Sequence, residues 1–248
     1  VVVARITPFG ESGPYAGYRG GELATSAVGG IMANCGDPTR EPLVPGGAQV
    51  QYSAGLAALD GILAALSVAE RTGIGQDVEV AAVESAALLE WFGALNVAYN
   101  GYVKERGSGV GRWPVLRCAD GGFVSPIYSP EEWPGFAEAM QDDRLRDPRF
   151  ATQEGRNEHI DELTAIWQGW AIERTADEAY RALQAHGVIA GASCDIPALL
   201  ENEHYAARHF WERVALPDGR EVTVPGLPFL VDGERPGVPP SPSLSPQR

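Results

Sequence analysis

Lysine is almost missing from this chain: of its 19 basic residues only Lys104 is not an arginine. Acidic residues number 33, so the formal net charge is −14 at pH 7. Nucleic acids and anionic membranes reward basic surfaces, and this balance excludes both as main partners. Cysteine is scarce as well. Cys35, Cys118 and Cys194 are widely scattered and form no CxxC pair. That excludes a disulfide framework or a zinc site and reads as reduced thiols in a cytoplasmic protein. His159, His186, His204 and His209 keep no metal-ligand or triad spacing, so no metal is expected. No apolar run approaches the length of a membrane span, and no signal peptide is visible. An initiating methionine is also missing. Val1 to Ile6 reads as a strand already under way, with no neighbour to cover its edge, and the expectation is a piece of a longer protein.

What is present is ordinary for a globular protein: 44% hydrophobic and 21% charged residues in 248 positions, enough for one large domain or two small ones. Residues 1–100 alternate short strands with helices, the pattern of α/β architecture. A helix is expected over Tyr52–Arg71, with Leu56, Leu59, Leu63 and Leu66 as one buried stripe and Gly73 and Gly75 as its stop. Val78 and Val80 mark a strand, and Ala82–Tyr99 a further helix. Residues 101–118 form a Gly- and Arg-rich linker loop, and 119–190 a small α/β domain. Within the latter, Gly122–Pro126 reads as a strand. Ser129–Glu132 and Thr175–Glu178 read as capping boxes opening helices, and Leu163, Ile166, Trp167 and Trp170 as a packed helical face. Residues 191–233 are expected to return to the large domain, with a helix over Ile196–His204 and a hairpin over Val214–Val224 turning at Pro-Asp-Gly. Residues 234–248 are a Pro/Ser-rich tail.

Three linked motifs carry more than composition does. They are Pro8-Phe-Gly-Glu-Ser-Gly-Pro-Tyr15, then Glu22 to Met32 as an Ala/Gly-rich helix, then Arg71-Thr-Gly-Ile-Gly-Gln-Asp-Val-Glu-Val80 after a second helix. Together they resemble the family III CoA-transferases, the group of formyl-CoA transferase, carnitine CoA-transferase and α-methylacyl-CoA racemase. The resemblance implies a partial family fold: a Rossmann-like large domain interrupted by a small α/β domain. It also implies a long N-terminal dinucleotide-fold segment before the first strand.

In that family a carboxylate attacks an acyl-CoA thioester, releases CoA thiolate through a mixed anhydride, and passes CoA to a second carboxylic acid. The resemblance places the nucleophilic Asp on Gln51, whose amide has no anionic oxygen but can hydrogen-bond a thioester carbonyl. The racemase pair, a His and the same Asp, falls on Gly21 and Gln51, which removes that chemistry. The CoA-contacting basic residue and the three after it match Arg19, Gly20, Gly21 and Glu22. Glu22 is then a candidate replacement carboxylate, and Arg19 a phosphate ligand; the plain alternatives are a solvated loop charge and a helix N-terminal charge. Arg106–Arg112, with Gly107, Gly109 and Gly111, resembles the glycine-rich loop over the family's active site; a simple flexible linker is the other reading.

The resemblance implies acyl-CoA and a carboxylic acid acceptor as substrates, with coenzyme A as no permanently bound cofactor. It implies interlocked chains, as a homodimer or heterodimer. Two functions follow: a transferase with a substituted nucleophile, or a non-catalytic acyl-CoA-binding or scaffold subunit paired with an Asp-bearing homologue.

Overall fold

A computed structural model describes residues 1–103, 106, 114–126 and 129–237. Gly107, Gly109 and Gly111 lie outside them. The chain divides into two compact units, Val1–Arg112 and Trp113–Arg248.

The first unit is α/β. Strand β1 (Val3–Thr7) leads into helix α1 (Glu22–Val28), and then α2 (Gln49–Thr72) returns the chain to β2 (Asp77–Ala81). The two strands pair in parallel, Val3 opposite Asp77 and Thr7 opposite Ala81. Parallel neighbours need such a crossover, and here two helices supply it. Helices α3 (Ala82–Leu89) and α4 (Trp91–Asn100) follow. The Ala82–Tyr99 helix expected from sequence is therefore two, parted at Glu90, whose N–H bonds the Ala87 carbonyl three residues back. Glu90 also accepts from the Asn34 amide at 2.7 Å. The expected Glu22–Met32 helix stops at Val28, because Gly29 and Gly30 follow and Gly30 turns left-handed at φ 90°. A 3-10 turn over Ile31–Asn34 replaces its last part.

The α2 helix corrects a second expectation. Its leucines are exposed, Leu56 at 64% and Leu63 at 56%, and the buried face is Val50, Ala54, Ala58 and Ala65. The reason is distance. A Cβ on Gly61 would lie 2.7 Å from the Val78 side chain, so only small residues fit between helix and strand. Large side chains must point the other way, whatever their period. The α2 helix is also long and apolar enough to cross a membrane by length and composition, which the sequence reading did not expect, with mean hydropathy 1.5 over an 18-residue window. Alanine and interspersed leucine produce that average without an unbroken run of large apolar groups. Gly73 ends the helix at φ 74°, as expected.

The second unit is built on an antiparallel sheet ordered β3 (Leu116–Arg117), β4 (Phe123–Pro126) and β5 (Ala190–Ala192). Between the last two run α5 (Trp133–Met140), α6 (Gln153–Glu158), α7 (Ile160–Ala171) and α8 (Ala176–Ala185). Their core holds Leu116, Val124, Phe136, Leu163, Trp167 and Leu183, all nearly inaccessible to solvent. Arg156 is buried among them. Its guanidinium donates to the Phe150 carbonyl at 2.7 Å and lies 4.8 Å from the Trp133 ring centre. Beyond the sheet come α9 (Ile196–Glu201), α10 (Glu203–Ala207) and the hairpin β6 (Trp211–Ala215) with β7 (Glu221–Pro225). The single helix expected over Ile196–His204 breaks at Asn202. That residue takes an extended conformation, and its side chain accepts from the His204 N–H at 2.9 Å, the role asparagine favours at a helix start.

Capping was partly as read. The first box is half made: Glu132 accepts from the Ser129 N–H at 2.8 Å, but the Ser129 hydroxyl turns to Glu131, and the helix begins only at Trp133. The second is complete. Thr175 accepts from the Glu178 N–H, and Glu178 accepts from the Thr175 N–H at 2.8 Å. That backbone bond, then the Thr175 hydroxyl, holds the Glu178 carboxyl below its ordinary range. A lowered native value stabilises the fold above the usual carboxylate range, and that contribution is lost as pH falls through the lowered value. Thr175→Ala is expected to cost about 1 kcal/mol at neutral pH. Urea titration checks it, and an unchanged midpoint would mean the box contributes nothing.

Candidate functional site

At the C-terminal end of β1 the first unit opens a pocket of about 300 Å³. Ile6, Thr7 and Pro8 form one side, the end of the strand. Gly20, Gly21 and Thr25 form the second, at the start of α1, and Gln51, Ala54 and Ala82 close it from α2 and α3. The crevice beyond the carboxyl ends of parallel strands is where α/β folds place ligands. Three of the residues singled out in the sequence thus share one wall system: Gly20, Gly21 and Gln51.

Local chemistry explains how each is held. The N–H of Val83 donates to the Pro8 carbonyl at 3.0 Å, which ties the end of β1 to the start of α3. Gly10 takes φ 88° and donates to the Thr7 hydroxyl at 2.9 Å, turning the chain away from the strand. Phe9, Tyr15 and Tyr18 then fold on one another, the two tyrosines stacked with ring centres 5.1 Å apart. Gly20 packs beneath them, where a Cβ would come within 2.6 Å of Pro8 and 2.8 Å of the Phe9 ring. Thr25 is buried, and its hydroxyl donates back to the Gly21 carbonyl at 2.9 Å.

Glu22 has a task the sequence did not reveal. Its two carboxylate oxygens accept from the N–H groups of Val50, at 2.9 Å, and Gln51, at 3.1 Å. Helix α2 starts after Ala48, which has no side chain to cap it. Glu22 supplies that cap from 28 residues earlier in the chain, with a charge the helix dipole favours. Each oxygen accepts one backbone N–H and keeps further lone pairs, so the Glu22 carboxylate is tied to the start of α2 and holds the backbone at Gln51. Glu22→Gln keeps the shape but turns an amide N–H₂ toward a donor. It is expected to lower stability by about 1–2 kcal/mol, read from a urea titration. No change would show that α2 needs no cap there.

Gln51 sits in the first turn of α2. Its carboxamide is exposed to the pocket and makes no hydrogen bond among the described residues. It offers both a donor and an acceptor to a bound group. Arg19 is exposed and, among the described residues, has no ion-pair partner. Arg106 donates to the Arg40 carbonyl at 3.0 Å. Cys35 is half-buried, and burial, then the nearby Glu90 charge, pushes its thiol up and away from reactivity at neutral pH. Among the described residues no three of His, Cys, Asp and Glu meet as metal ligands. The pocket members that the sequence did not flag are Ile6, Thr7, Thr25, Ala54 and Ala82. Ala54 alone had a signal, since it lies one helical turn beyond Gln51.

A family model described as CoA-transferase family III matches residues 1–246. The succinyl-CoA–D-citramalate CoA-transferase of Chloroflexus aurantiacus is 31% identical over 90% of this chain and 57% of that protein. The BbsE subunit of succinyl-CoA:(R)-benzylsuccinate CoA-transferase from Thauera aromatica is 29% identical over 92% of this chain and 59% of that protein. The chain therefore spans less than two thirds of these relatives. Among solved structures, Rv3272 of Mycobacterium tuberculosis superposes with a TM-score of 0.80 at 26% identity, covering 97% of this chain and 66% of that one. A CAIB/BAIF family protein from Brucella suis shares the fold with a TM-score of 0.79. With the family model matching nearly the whole length, the chain belongs to CoA-transferase family III.

Proposed function

We infer that the protein takes part in moving CoA between carboxylic acids, with the acyl thioester bound at Gln51. The observation that carries this reading is the pocket itself, which Gln51 lines together with Gly20 and Gly21, its carboxamide unengaged among the described residues. The relatives named above are CoA-transferases, which supports the reaction class. Gln51 cannot form an anhydride, and Glu22 is engaged by the α2 backbone. A carboxylate from the acceptor acid can instead attack the thioester carbonyl directly. The C–S bond breaks, CoA leaves as thiolate, and a mixed anhydride of the two acids remains. The thiolate then attacks the acceptor's carbonyl and frees the donor acid as carboxylate, so atoms and charge balance. Gln51 N–H₂ would stabilise the oxyanion of each attack, worth about 3 kcal/mol where such a donor is well placed. Arg19 would meet a CoA phosphate.

A second reading rests on the amide that Gln51 puts in place of a carboxylate. The chain would then be an acyl-CoA-binding subunit beside a homologue that bears the Asp, and some relatives are named as subunits. Either way the working form would pair two chains, in the cytoplasm. Incubating the full-length protein with a panel of acyl-CoAs and ¹⁸O-labelled free acids decides between them. Transfer by this protein alone, without an acyl adduct trapped by hydroxylamine, is the expected result. Transfer only after an Asp-bearing partner is added would replace it with the subunit reading, and no transfer in either case would overturn both.

A further inference from the structure

Gly20 and Gly21 stand side by side in the pocket wall, yet they are glycine for different reasons. At Gly20 a side chain would collide with Pro8 and Phe9. At Gly21 a Cβ would meet no atom within 4 Å. The backbone makes no demand there either, because φ −169° and ψ −173° are extended values open to any residue. Packing and conformation both leave Gly21 free to vary. What it does share is a pocket with Gln51, in whose wall a side chain at Gly21 would have room to grow.

The chemistry of that volume is uncharged and more apolar than polar. The walls contributed by Ile6, Pro8, Ala54 and Ala82 are hydrocarbon, Thr7, Thr25 and Gln51 add uncharged polar groups, and among the described residues no charged side chain lines the pocket. Thr25 is the one neighbouring hydroxyl whose proton is placed, and it is committed to the Gly21 carbonyl. A second carboxylate on the acyl group would be desolvated here without a cationic partner, which costs several kcal/mol. About 300 Å³ is at the small end of ligand pockets, enough for an acyl group longer than acetyl.

Resting on the functional reading above, the geometry points to a specificity device: the pocket takes the apolar chain of a monocarboxylic acyl-CoA, and Gly21 sets how large that chain is. The substrate class is thus an aliphatic or branched monoacid thioester, not the half-ester of a dicarboxylic acid.

Non-hydrolysable CoA thioethers test this without turnover. The full-length protein is titrated calorimetrically with CoA and with its S-ethyl, S-hexyl and S-(carboxypropyl) derivatives. Affinity should rise about fourfold for each methylene buried between ethyl and hexyl, and the carboxypropyl derivative should bind more weakly than the hexyl one by at least the same total factor. Gly21→Leu should abolish the gain from ethyl to hexyl, measured as a ratio within that variant. Gly21→Ser, which caps α1 and stays small, should keep most of it. Carboxypropyl binding equal to or tighter than hexyl would overturn the monoacid inference and leave the CoA-transfer reading standing. An unchanged hexyl-to-ethyl ratio in Gly21→Leu would overturn the role of Gly21. Failure of CoA and all its thioethers to bind would overturn both the inference and the functional reading.

Discussion

Replacing Gln51 with aspartate is expected to raise CoA transfer by the full-length protein on the order of 10³-fold, about 4 kcal/mol of barrier. The substitution puts an anionic oxygen where the carboxamide now lines the pocket. Its backbone would remain fixed, since the Glu22 carboxylate holds the N–H of residues 50 and 51 through the main chain. A covalent route then opens, in which the enzyme carboxylate forms the anhydride and splits one three-body exchange into two simpler displacements. Hydroxylamine should then trap an adduct on residue 51 by mass spectrometry. The Glu22 carboxylate accepts from the N–H of residue 51 at 3.1 Å and is also negative, and it will oppose ionisation of the new carboxyl. The gain should therefore grow as pH rises through the acid range. A variant that transfers no faster than the parent, with no trapped adduct, would mean that the thioester does not sit at Gln51.

Trp167→Ala is expected to have the largest effect on folding, about 3–5 kcal/mol. Trp167 has no accessible surface, and its ring meets Phe136 edge-on at 5.2 Å between centres. The cavity would open in the buried cluster of the second unit, between α5 and α7. Total stabilities of domains are about 5–15 kcal/mol, so much of this unit's margin would go. Circular dichroism in urea checks it, with Trp167→Phe recovering part of the loss. An unchanged midpoint would show that this core is not what holds the unit together.

How far the chain could be read in advance varied with the kind of interaction. Elements governed by neighbours in sequence were legible: the capping box at Thr175, the hairpin turn, the stop at Gly73 and the packed tryptophan face of α7. The neighbourhood of Gly20, Gly21 and Gln51 was legible only through motif resemblance, since their spacing has no physical signature of its own. Two things were beyond the sequence for identifiable reasons. Periodicity reports which side chains share a helix face, but the leucine and alanine faces of α2 have similar periods, and only the close approach at Val78 decides between them. A carboxylate that caps a helix 28 residues away leaves no local pattern, so the hold of Glu22 on the start of α2 could not be read from the sequence beside its candidacy as a carboxylate. The α4 and α9 boundaries failed for a smaller reason: Glu90 and Asn202 are compatible with helix and are diverted by single hydrogen bonds.

The contact between Gly61 and Val78 has a consequence for the pocket it does not touch. Helix α2 is fixed near its first turn by Glu22 and again ten residues on, where the absent side chain of Gly61 seats it on the strand. A rod pinned at two points about 15 Å apart can neither slide along its axis nor roll about it. The angular position of Gln51 is thus a mechanical property of the whole helix. Changes at Gly61 would be felt as misalignment at the far end of that lever before they were felt as unfolding, so the silent midsection of α2 is a place where reactivity could be tuned without altering a single pocket residue.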